Sequence, residues 1–118
     1  MSQTPLEATP RHTDAGTTIA LSGDIDGGAR DTLDAAYAAV AGDDPVLLDF
    51  TNVGYINSTG IALIVGVLAR ARAQARPVSA CGLSEHYREI FEITRLSDFM
   101  TILADGPLPA ADRNGGAR

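Results

Sequence analysis

VLLDFTNVGYINSTG, residues 46–60, runs directly into the apolar stretch Ile61–Ala69. Val46–Phe50 is almost wholly apolar, which predicts a central parallel strand covered on both faces. A short loop follows, and then the hydroxyl pair Ser58 and Thr59 stands where the apolar run starts as a helix. A helix start leaves its first backbone N–H groups without partners and carries partial positive charge. Such a point accepts an anion, whether bound or attached covalently to a serine. The simplest role for Ser58 is that of an N-cap, since Ser, Thr and Asn are the favoured caps. A capping box, however, wants Glu or Gln three residues on, and Gly60, Ile61 and Ala62 occupy those places. Gly60 in the first turn lowers helix stability by about 1 kcal/mol relative to Ala. Its use is to let another molecule approach the backbone closely.

Working outward, Leu6–Thr9 and Thr17–Ser22 read as two strands. Thr13-Asp14-Ala15-Gly16 between them has turn composition, so they form a hairpin. Gly23–Gly28 reads as a loop. A helix over 29–41 carries Leu33, Ala36, Tyr37 and Val40 at helical spacing, with Gly42 at its C′ position and Pro45 beyond. The helix opened by Ser58 runs to Ala75, with Arg70, Arg72 and Arg76 near its negative end. Pro77–Cys81 is a short strand, and Ser84–Thr94 an amphipathic helix with Tyr87, Ile90, Phe91 and Thr94 in register. Thr101–Leu103 closes the pattern as a last strand. Alternating strands and helices imply βαβ crossovers. The expected fold is α/β: a single domain over 1–105, with helices packed on a mixed, mostly parallel four- to five-stranded sheet. Residues 106–118, rich in Gly, Pro and Ala, are expected to form a flexible tail. Ligands and partners of such sheets gather beyond the carboxyl ends of the strands, where Asn57–Gly60 falls.

Composition removes most rival chemistries. All nine basic residues of the 118 are arginine. Without lysine there is no Schiff base and no phosphate loop of the Gly-Lys-Ser/Thr type. Histidine is limited to His12 and His86, and cysteine to Cys81, so disulfide frameworks and cysteine-rich zinc sites are excluded. A net charge of −6 argues against nucleic acid, which needs a clustered basic face. The N-terminal MSQTPLEATPRH lacks the apolar core of a signal peptide. Ile61–Ala69 is far shorter than the ~20 residues needed to span a bilayer. The expectation is a cytoplasmic domain that does not insert into membranes, has no cofactor, and works with protein partners.

Between Ile61 and Ala69 the second helix has no polar side chain on any face. One face can pack on the sheet through Ile61, Ile64, Val65 and Leu68. The opposite side, at Ala62, Leu63 and Gly66, is covered by the Ser84 helix or left as a docking patch. Asp24, Asp26 and Asp31 read as solvated loop carboxylates rather than metal ligands, with Asp26 able to cap the first helix. Cys81 reads as a small buried hydrophobe. Neither histidine has an evident partner for nucleophilic catalysis through Ser58.

With these residues in place, the chain resembles the STAS domain of anti-sigma factor antagonists. Gly23-Asp24-Ile25-Asp26 is similar to the family's Gly-Glu-Leu-Asp after the second strand. Leu48-Asp49-Phe50-Thr51 through Asn57-Ser58-Thr59-Gly60 resembles its signature of an apolar strand, Asp-Phe/Leu-Ser/Thr, and then Asp-Ser-Ser/Thr-Gly. Glu89–Met100 is similar to its third helix and following turn. The resemblance covers Thr17–Leu103. It implies that Ser58 is phosphorylated by an anti-sigma factor that is a serine kinase. It also implies that the unphosphorylated form binds that kinase and frees a sigma factor, and that a PPM-type phosphatase reverses the modification. The implied partner-binding set is Asp24, Asp26, Asn57, Ser58, Thr59, Gly60, Ala62, Leu63 and Gly66, without catalysis by this chain. Asn57 departs from the family's Asp, and the C-terminus from its usual final helix. A STAS scaffold or interaction module, stressosome-like or in a lipid-transport complex, is the alternative that does not use Ser58 phosphorylation.

Overall fold

The computed structural model describes residues 4–103; the proposed tail at 106–118 lies outside the described residues. The strands are β1 (Glu7–Thr13), β2 (Gly16–Ile25), β3 (Val46–Ile56), β4 (Val78–Cys81) and β5 (Thr101–Ile102). The helices are α1 (Arg30–Ala38), α2 (Ser58–Ala73) and α3 (Glu85–Ile93), with 3₁₀ turns at Gly27–Ala29 and Leu96–Asp98. The sheet follows chain order, β1-β2-β3-β4-β5. β1 lies antiparallel to β2, and every later neighbour is parallel.

Each crossover, β2-α1-β3, β3-α2-β4 and β4-α3-β5, steps the same way across the sheet. With uniform handedness, that stacks all three helices on one face. Burial follows: Val46, Leu48 and Phe50 are buried among the helices, whereas Leu47 and Asp49, pointing the other way, are only half-buried. The expectation that β3 is covered on both faces is therefore corrected. On the helix-free face, Thr18, Ala20, Leu47, Asp49, Ser79 and Leu103 line part of an open groove of about 830 Å³. The core fills the helical side, where Phe50 and Phe91 meet edge to face at 5.8 Å and tie α3 to the sheet.

The hairpin forms as expected, but β1 continues past Pro10 to Thr13. An edge strand tolerates proline because one row of its N–H groups has no ladder to join. β2 and β3 also outrun their expected ends. Register shifts between Ala20 and Ser22, and between Gly23 and Asp24, let Ser22–Ile25 pair with Asn52–Ile56. The second shift leaves Gly54 as the extra residue of β3; on β2, Gly23 has φ +102°, and a Cβ there would lie 2.4 Å from the Pro5 carbonyl oxygen. The expected loop at 23–28 is thus half strand and half 3₁₀ turn, and the expected loop after Phe50 is strand. α1 stops at Ala38 rather than Ala41 because its last turn tightens, the Ala39 N–H bonding to both Ala35 and Ala36. Gly42, with φ +44°, lies in the following turn rather than at C′.

α2 is rotated relative to expectation. Ile64, Val67, Leu68 and Ala71 face inward, whereas Val65 is 45% exposed. Its principal helical neighbours are α1 and the turn at Gly27–Ala29, while α3 packs mainly against the turn at Leu96–Asp98. The Ser84 helix therefore does not cover the outer face of α2.

Candidate functional site

The β3–α2 junction is built from two backbone contacts and one cap. The Asn57 N–H donates to the Ile25 carbonyl oxygen at 3.2 Å, and its side-chain oxygen accepts from the Gly60 N–H at 2.8 Å. Asn57 is thus the N-cap, and Ser58 is the first residue inside the helix. This removes capping as the reason for Ser58. Its hydroxyl and that of Thr59 are on exposed residues and take no part in the cap. The Ile61 N–H opens the helical ladder by returning to the Asn57 carbonyl. The amides of Ser58 and Thr59 precede that ladder, so the hydroxyl sits at the positive end of a helix of full length.

Gly60 has a different use from the one expected. It is buried, and a Cβ on it would fall 1.9 Å from the Ile25 carbonyl oxygen. The close approach it permits is by β2 of the same chain, not by another molecule. The other glycines here are less constrained: a Cβ on Gly27 would make only ordinary contact with the Thr59 methyl at 3.5 Å, and one on Gly54 would approach the Asp24 carboxylate at 3.1 Å.

Asp24 and Asp26 reach the same end of the sheet, since Asp24 and Ile25 pair with Tyr55 and Ile56. They do not converge as ligands. Asp26 accepts from the Gly28 N–H at 2.9 Å and caps the 3₁₀ turn that leads into α1, while Asp24 accepts from the Thr4 N–H at 3.3 Å. Asp31 is exposed in the first turn of α1. His86 is exposed and lies edge-on to Tyr87, with ring centroids 4.9 Å apart, rather than bonding Ser58.

Along α2, Ser58, Ala62, Val65, Gly66 and Ala69 are all exposed, and Leu63 is half-buried. Steps of three and four residues place the exposed five on one helical face. Lower on the helix, Val65, Leu68, Ala69, Arg72 and Ala73 join Leu96 and Phe99 around a groove of about 480 Å³. Arg72 lies over the Phe99 ring at 5.0 Å from its centroid. Two members of this end escaped the sequence: Tyr55, 55% exposed, and Tyr87, whose hydroxyl accepts from the Ile56 N–H at 2.9 Å. Tyr55 sits in a stretch that reads as loop, where an exposed aromatic is the available signal. Tyr87 gives none beyond its helical register.

The cap makes a prediction. Replacing Asn57 with Asp keeps the acceptor and adds a negative charge at the helix start. It should stabilise the chain by about 0.3–1 kcal/mol. The gain should shrink once a phosphate occupies Ser58 beside it. Chemical melts of both forms, with and without a phosphoserine at 58, check this.

Cys81 is a separate matter. Burial and the neighbouring Asp49 carboxylate, to which the thiol donates, push it from 9.0 up to about 12. Above the ordinary thiol range, the unfolded chain releases a proton that the folded chain keeps. The unfolded state then binds fewer protons, so stability falls as pH rises between about 9 and about 12. The slope from this group is at most about 1.4 kcal/mol per pH unit. Urea melts across that window should show wild type losing more stability than Cys81→Ser, whose hydroxyl does not titrate there.

Comparison with known proteins agrees with this architecture. A family model described as "Mlab, STAS domain" matches residues 8–104. An anti-sigma-B factor antagonist of Listeria monocytogenes is 38% identical over 55 residues, covering 47% of this chain and 48% of that protein. The chain thus aligns with about half the length of the curated relatives it matches. An anti-sigma factor antagonist from Mycobacterium paratuberculosis superposes with a TM-score of 0.68 at 18% identity, covering 82% of this chain and 84% of the other. The Bacillus cell fate determinant SpoIIAA in its phosphorylated form gives 0.58 at 20%, covering 82% and 91%. Those two likenesses bear on the fold. The match over residues 8–104 places the chain plainly: it belongs to the STAS domain family.

Proposed function

We propose that this chain is an anti-sigma factor antagonist whose partner binding is switched by phosphorylation of Ser58. The observation that carries the reading is the placement of Ser58 at the head of the apolar face of α2 that the other described elements leave exposed. A partner seated on Ala62, Leu63, Val65 and Gly66 would cover the hydroxyl. The named relatives, anti-sigma-B factor antagonists, support the same role. In this reading Asp24, Asp26, Asn57 and Thr59 border the contact, and Gly60 serves it by seating the helix.

The partner is an anti-sigma factor serine kinase, and a PPM-type phosphatase restores the free serine. The chain itself catalyses nothing, binds no nucleic acid and works in the cytoplasm. Phosphate adds about −1.5 to −2 charges and three acceptor oxygens. At a helix N-terminus that charge is tolerated by the domain itself, so α2 does not melt. The switch acts across the interface instead, by repelling partner carboxylates and by resisting desolvation.

A second reading, a STAS scaffold or interaction module in a stressosome-like or lipid-transport assembly, is favoured by Asn57 standing where the resemblance expects Asp. There the α2 face docks a partner and Ser58 stays unmodified. Incubation with the cognate kinase and ATP, followed by phosphosite mapping, separates the two. The first reading expects phosphate on Ser58 alone. Phosphate elsewhere, or none, favours the scaffold.

A further inference from the structure

We propose that Tyr87 is a positioning residue for the Ser58 switch, an inference that rests on reading Ser58 as the phosphoacceptor. Pairing of β4 with β3 ends at Asp49 and Cys81. From Phe50 onward, β3 keeps its β2 neighbour but has lost the strand on its other side. Successive amides of a strand point to opposite sides, so every second N–H here needs a partner other than a strand. At the last residue of β3 that partner is the Tyr87 hydroxyl, which accepts from the Ile56 N–H at 2.9 Å.

The next amide, that of Asn57, is held from the other side by the Ile25 carbonyl. The backbone entering Ser58 is therefore gripped on one side by β2 and on the other by α3. Tyr87 is itself held. Its N–H donates to the Ser84 side chain at 3.2 Å, in the N-cap of α3, and its half-buried ring packs against the core. The ring would pack equally well as phenylalanine; the hydroxyl is what reaches the switch. Deleting it frees the end of β3 and, with it, the cap geometry at Asn57. Phosphoryl transfer depends steeply on where the attacking oxygen sits, so a looser junction slows the step more than it weakens encounter.

The test is Tyr87→Phe in the full chain, read two ways. Amide hydrogen exchange at Ile56 should accelerate at least about tenfold, with Leu48 unchanged. Phosphorylation of Ser58 by the cognate kinase should lose about tenfold in kcat, with KM within about twofold. Ser84→Ala, which loosens the backbone of Tyr87, should move both readings the same way by less. Unchanged exchange at Ile56 overturns the inference, as does faster exchange with normal phosphorylation. A wild-type chain that takes no phosphate overturns the Ser58 reading and this inference together, whereas a loss seen only in the variants supports both.

Discussion

Gly60→Ala should lower the melting temperature by roughly 10–20 °C, as expected for a loss of about 2–3 kcal/mol in a domain of this size. Two effects oppose each other. Alanine is the better helix former by about 1 kcal/mol. Against that, its methyl would sit 1.9 Å from the Ile25 carbonyl oxygen and 2.7 Å from the carbonyl carbon. Those are backbone atoms of β2, so no rotamer change relieves the contact, and the start of α2 must lift off the sheet. Overpacking typically costs about 1–3 kcal/mol and occasionally more. A 1.9 Å approach to fixed backbone, which also strains the Asn57 bond to the same carbonyl, falls at the top of that scale, about 3–4 kcal/mol.

Gly66 in the same helix provides the control. It is exposed, and a Cβ there meets nothing within 4 Å. Gly66→Ala should therefore stabilise the chain by about 0.5–1 kcal/mol. One substitution type in one helix should thus give opposite signs. Thermal melts of the two variants check the pair, and a neutral or stabilising Gly60→Ala would mean that α2 is not seated on Ile25.

The second large effect belongs to Ser58. Ser58→Ala should remove kinase-dependent phosphate incorporation while leaving the fold and partner binding close to wild type, because the residue is exposed and Asn57 supplies the cap. With phosphate on Ser58, affinity for the partner should fall by roughly a thousandfold, or about 4 kcal/mol. One unit charge facing one partner carboxylate at about 4 Å is worth about that much at an effective dielectric of 20. The full swing from occupied to empty needs about 5.5 kcal/mol, so a doubly charged group at the contact is of the right size. Affinity by calorimetry and phosphate by intact-mass measurement check the two halves.

Much of this was legible in the chain, for identifiable reasons. The hairpin and the crossovers show themselves because Ile19 and Leu21 alternate while Leu33, Ala36, Tyr37 and Val40 repeat at helical spacing. The junction at Ser58 shows itself because a polar quartet interrupts two apolar runs. The end of β3 does not, since Asn52 and Gly54 read as turn residues, whereas Asn52 pairs with Ser22 and Gly54 is the extra residue of a bulge in β3. The rotation of α2 is hidden for the opposite reason. A helix apolar on every face from Ile61 to Ala69 contains no pattern to say whether Val65 or Val67 points inward. The helix-free sheet face is hidden because Leu47 beside Leu48 looks like burial on both sides. Tyr87 was legible only as core packing, because a hydroxyl that bonds a backbone amide on another element leaves no local trace.

The most direct measurement of the central claim is the affinity of the cognate anti-sigma factor kinase for this chain in two forms, with serine and with phosphoserine at position 58. The account predicts tight binding of the serine form and a loss of roughly a thousandfold in the phosphoserine form, with both melting cooperatively at similar temperatures. Equal affinity for the two forms would contradict it.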